Sequence, residues 1–162
     1  MSKVMIIKYA RSHLIRWLFF ITSIFRSERK LIKTLRFTIG EQYENYEFVL
    51  KSKGEKIIDG ICYEIYLYEK GDFKTLLNLP ISRGILLLFN ADILSAVYYR
   101  FQGNHFEYLL NQINKKLPSN NKMIIDPFVA YRATCHLDSN TVLELLVKKD
   151  GNTGMALKNN RI

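Results

Sequence analysis

Histidine, cysteine and proline are all scarce in this chain, with three, two and three residues respectively among 162. His13, His105 and His136 share no metal-ligand spacing, and neither a Cys-x-x-Cys nor a His-x-x-x-His pair occurs, which disfavours structural and catalytic zinc alike. Two cysteines, Cys62 and Cys135, cannot build the dense disulfide framework of a small secreted domain. They read as free thiols of a reducing compartment. The eight glycines are scattered, so no phosphate-cradling loop or dinucleotide fingerprint arises, and no cofactor is implied. Long apolar runs are absent too. The stretch from Trp17 to Phe25 spans nine residues, against the ~20 that a membrane-crossing helix requires. A secretory signal also fits poorly, because charged Arg26-Ser27-Glu28-Arg29-Lys30 stands where small residues should precede cleavage.

Acid is nearly missing from the first forty residues, which hold nine lysines and arginines against one acid, Glu28. The rest of the chain is almost balanced, with fifteen basic residues against fourteen acidic ones, so the net charge of +9 is concentrated at the N-terminal end. Such a block attracts nucleic acid, anionic lipid or an acidic protein surface through the same long-range field.

The opening segment has a helical period. Lys8, Arg11, Arg16, Arg26, Lys30 and Lys33 fall along one side, while Ile7, Ala10, Leu14, Trp17, Leu18, Ile21, Ile24 and Phe25 fall on the other. Residues 1–35 are therefore expected to form a basic amphipathic helix packed on the domain. Lys8, Arg11, Arg16, Arg26, Arg29, Lys30, Lys33 and Arg36 are the candidate partner- or anion-binding residues. Trp17, Phe20 and Ile24 are the apolar anchors. A helix of this kind also suits a lipid headgroup boundary.

Further along, ICYEIYLY alternates cleanly: Ile61, Tyr63, Ile65 and Leu67 face one way, and Cys62, Glu64, Tyr66 and Tyr68 the other. KSKGEK resembles a hairpin turn, and GILLLF suits a strand covered on both faces. GDFKTLLNLP is read as a short helix closed by Pro80, and Asn90 and Asp92 as the cap and first-turn acid of a helix over ADILSAVYYRFQ. A second helix carries Phe106, Leu109, Leu110, Ile113 and Leu117 on one stripe and stops at Pro118. MIIDPFVAYRATCHL reads as one or two strands, with Val129, Tyr131, Ala133, Cys135 and Leu137 sharing a core face and His136 opposite. That alternation argues against a Cys135–His136 nucleophilic couple, whose members must lie within hydrogen-bond reach. Asp59, Glu64 and Asp72 match a metal-dependent nuclease only weakly. Residues 156–162 look like a frayed tail.

These readings combine into an α+β fold, a mainly antiparallel sheet with helices packed against it, occupying residues 36–155. The function they support is a non-enzymatic interaction module that binds a protein partner as inhibitor, adaptor or complex subunit. The competing readings are a nucleic-acid-binding protein using the basic helix with exposed Tyr66, Tyr68, Tyr98, Tyr99 and Tyr108, and a peripheral membrane-surface protein. The expected location is the cytoplasm or a membrane surface facing it.

Overall fold

The computed structural model describes residues 31–160. The helix expected over 1–35 lies outside the described residues except for a terminal turn at 31–35, and so do Lys8, Arg11, Arg16, Trp17, Phe20, Ile24, Arg26, Arg29 and Lys30. Residues 36–160 are mostly antiparallel β-sheet. Ten strands form: β1 Leu50–Ile58, β2 Ile61–Tyr68, β3 Thr75–Leu76, β4 Leu79–Pro80, β5 Ile85–Asn90, β6 Ile93–Phe101, β7 Ile124–Ile125, β8 Arg132–His136, β9 Thr141–Val147 and β10 Thr153–Asn159. Eight of them make one antiparallel sheet in the order β1-β2-β5-β6-β10-β9-β8-β7, and β3 and β4 pair separately. Among the described residues, a single helix exceeds two turns, α1 Phe106–Lys116.

This overturns the α+β expectation, and the reason is local. The helix expected over residues 91–102 is strand β6. Ala91 and Asp92 adopt φ of 46° and 63°, the left-handed pair of a two-residue hairpin turn, so Asp92 turns the chain instead of capping a helix. Beyond it, neighbours on both sides of the strand override the weak helical preference of ILSAVYYRF. The short helix expected near Pro80 is the β3–β4 hairpin, turned by Leu77 and Asn78 at φ of 51° and 65°. KSKGEK lies within β1, where Gly54 marks a bulge, and the β1–β2 turn falls at Asp59-Gly60. The first residues read as a frayed tail, 156–159, complete β10, hydrogen-bonded between β6 and β9 with Ala156 and Leu157 buried beside Met155.

Other expectations hold in whole or in part. The stripe of α1 appears as read, with Phe106, Leu109, Leu110 and Ile113 buried. β2 forms as a strand, but Tyr66 and Tyr68, expected to be exposed, pack in the main core, whereas Ile61 is 38% exposed. On the core face of the sheet, Leu87, Val97, Leu157, Leu143 and Cys135 form one cross-strand row, all buried. α1 packs its stripe against β9 on this side; full burial of each large side chain contributes roughly 1.5–3 kcal/mol. Leu31 and Leu35 of the helical turn join the same core.

Where that turn ends, Arg36 takes φ of 72°, a left-handed exit that normally favours glycine. Its guanidinium offsets the strain: it donates at 2.8 Å to both the Tyr68 hydroxyl and Asp72, and it lies over the Tyr68 and Phe73 rings at 5.4 and 5.6 Å. The Tyr99 hydroxyl donates to the carbonyl of Leu35, satisfying an orphan acceptor at the helix end.

Cys135 is buried and Cys62 exposed, and neither is in a disulfide. Partial desolvation by its neighbours and the Glu55 carboxylate beside it raise the exposed Cys62 thiol above its ordinary range. One thiol per native chain should therefore react with an alkylating reagent, slowly for an accessible cysteine, and the second only in denaturant. Rapid labelling of both in the native state would contradict this core.

Candidate protein-interaction surface

The two margins of the sheet differ. β1 is long, but it carries Lys51, Lys53 and Lys56 and the bulge at Gly54, devices that discourage another strand from pairing there. β7 has two residues and runs into Asp126-Pro127, so strand addition is discouraged there as well. Exposed apolar side chains occur at both margins, with Phe48 and Ile57 before and within β1 at 95 and 71%, but they are denser at the second. Ile124, Ile125, Phe128, Val129 and Tyr131 are 73, 53, 94, 45 and 52% exposed. Five large exposed apolar groups within eight residues are denser than the singly scattered ones of an ordinary surface, the kind of feature that marks an interaction site.

The segment is held by its own polar groups. The Asp126 amide donates to the Arg132 carbonyl at 2.8 Å, closing the loop between β7 and β8. The Asp126 carboxylate accepts from the amides of Phe128 at 2.8 Å and Val129 at 3.2 Å, which fixes the turn after Pro127. Tyr131 has φ of 56°, sets its ring edge-on to Phe106 of α1 at 5.7 Å, and accepts through its carbonyl from Val147 at 3.0 Å. With both ends tied, Phe128 points into water from a fixed backbone.

A charged chain anchors the loop from behind. Arg132 reaches Asp126 at 3.6 Å and grips one oxygen of Glu144 at 2.7 Å, while Lys158 donates to the other oxygen at 2.9 Å. Glu144 is buried on the sheet face opposite the core, in a cross-strand row with Tyr98, Ala156, Thr134 and Ile124. Burial would raise its carboxyl, but hydrogen bonds and charge from Lys158 and Arg132 together bring it below the usual carboxylate range.

A depressed folded value means that this group stabilises the fold above the unfolded carboxylate range, and that the contribution is lost as pH falls through the folded value. Glu144→Gln should lower stability at pH 7 by about 1–2 kcal/mol, the modest end for a broken pair because Arg132 keeps contact with water. It should also flatten the acid limb of a stability–pH curve measured by urea denaturation. An unchanged acid limb would show that Glu144 is not held as described.

The residues expected from sequence to form a site are dispersed. Lys33 is exposed, whereas Arg36 is engaged with Tyr68 and Asp72. Tyr99 and Tyr68 are in the core, Tyr98 lies on the opposite sheet face, and Tyr108 hydrogen-bonds the Leu77 carbonyl from α1, so these rings share no stacking platform. Arg100 is paired with Asp150. Cys135 and His136 point to opposite faces of β8, Asp59 sits in a hairpin turn, and Asp72 is bound to Arg36. Among the described residues, no three histidine, cysteine or acidic side chains converge on a metal-binding position, and no helix is long and apolar enough to cross a membrane.

Sequence reasoning missed the rim because it assigned Val129 and Tyr131 to the core face of a continuous strand. Ala133, Cys135 and Leu137 are buried as expected, but the strand begins at Arg132 and the residues before it belong to the loop. Asp126-Pro127 was the available signal. Comparison with protein-family models, curated proteins and solved structures returned no match.

Proposed function

We propose that this chain is a protein-binding module, serving as a complex subunit, adaptor or inhibitor, and that its partner seats on the rim from Ile124 to Tyr131. The observation that carries this reading is Phe128, 94% exposed on a loop whose backbone is tied at Asp126 and Tyr131. A large ring kept in water by a fixed loop gains free energy when a partner covers it, and the loop needs little further ordering to bind. The apolar rim sets the lifetime of the complex, and the positive charge of residues 1–36 sets how its association rate responds to salt.

Photo-crosslinking tests the reading. A benzophenone amino acid placed at position 128 of the full chain, expressed in the source cells, should give a discrete protein adduct. The same group at exposed Lys149, outside the rim, should give none. The adduct should survive raised salt during capture, because an apolar contact barely responds to ionic strength, whereas a complex led by phosphate contacts weakens steeply. An adduct that consists of nucleic acid, or the absence of any adduct specific to position 128, would overturn the proposal.

A further inference from the structure

We infer that the rim binds a second copy of this chain, forming a symmetric dimer in which residues 124–131 of each protomer face their own counterparts; the inference rests on the protein-binding reading above. Size is the first argument. Phe128, 94% exposed, offers ~150–250 Å² when covered, and the exposed parts of Tyr131, Ile124, Ile125 and Val129 with a polar border extend the segment towards the ~800 Å² per partner of a standard interface. Charge is the second. The chain carries +9 overall, yet within residues 124–131 the one charged side chain, Asp126, is matched by Arg132, so the rim itself sets no like charges against each other. Shape is the third. The rim lies at the free margin of the sheet, beyond β7, so a two-fold axis there brings two margins together without obstructing the rest of either sheet. A two-fold interface must be self-complementary, and an apolar, charge-matched segment meets that requirement without a second surface. Both faces of the edge strand contribute, since Ile124 and Ile125 point to opposite sides of the sheet.

Two measurements on the purified full chain test this. Sedimentation equilibrium should show a monomer–dimer equilibrium that strengthens as salt screens the repulsion between two cationic copies. Phe128→Asp should weaken it by ~30-fold or more without altering the circular dichroism spectrum, since the ring is exposed. In a Cys62→Ser background, single cysteines introduced in turn at positions 124, 125, 128 and 129 report symmetry. A residue beside a two-fold axis faces its own copy, so at least one should form an interchain disulfide under mild oxidation. A dimer that persists in Phe128→Asp, or a scan in which no position crosslinks, overturns the symmetric dimer. A chain that stays monomeric at every concentration while position 128 still crosslinks to a different protein refutes the dimer and leaves the protein-binding reading standing. A monomer with no adduct refutes both.

Discussion

Phe128→Asp should abolish partner capture while leaving the fold intact. Exposed aromatic anchors at the centre of an interface contribute ~2–4 kcal/mol, about 30- to 1000-fold in affinity, and a carboxylate forced into the covered site adds desolvation cost. Phe128 touches so little of its own chain that the unfolding midpoint should move by no more than ~0.5 kcal/mol equivalent. Isothermal titration against the partner identified by crosslinking, paired with a thermal melt, separates the two effects. Lost binding with an unchanged melt is the expected result; a variant that melts early would make Phe128 a structural residue. Arg132→Ala gives a graded version. It removes the side-chain contacts to Asp126 and to buried Glu144 without touching the ring, so binding should weaken through ordering cost while the melt falls by the lost Glu144 pair.

The largest effect on folding should come from the C-terminal end. Stopping the chain after Lys149 removes β10 from between β6 and β9 and splits the eight-stranded sheet into two unconnected parts. Val97, Tyr99, Leu143 and Leu145 lose their cross-strand partners at once. That loss exceeds the ~5–15 kcal/mol by which a typical domain is stable. The truncated chain should show no cooperative thermal transition and should bind a dye for exposed apolar surface. A sharp melt from this truncation would mean that the sheet closes without β10.

The contrast between these two places shows what was legible in the sequence. α1 was legible because its stripe is unambiguous: Phe106, Leu109, Leu110 and Ile113 recur at the helical spacing, and Pro118 ends the pattern. β2 was legible as a strand because ICYEIYLY alternates, but not which side faces the main core, where Tyr66 and Tyr68 pack. β6 was misread because Asn90 and Asp92 resemble a helix cap, and a two-residue turn draws on the same residue types. β10 was misread because MALKNN is short and polar at its end, and its place at the centre of the sheet depends on pairing with β6, about fifty residues away in sequence. Such non-local pairing leaves little trace in any one window. The rim was hidden for the opposite reason. IIDPFVAY has the composition of a core strand, and its exposure follows from Asp126 capturing the amides of Phe128 and Val129 before β8 begins.

On the proposed reading two surfaces would contribute differently, the basic residues of the first 36 through long-range charge that salt screens and the rim through contact and shape. Amide hydrogen exchange on the assembled full chain distinguishes them most directly, measured beside the Phe128→Asp variant under identical conditions. The account predicts added protection across residues 124–131 on assembly, absent in the variant. Protection confined to residues 1–36, with exchange at 124–131 unchanged between assembled protein and variant, would contradict it.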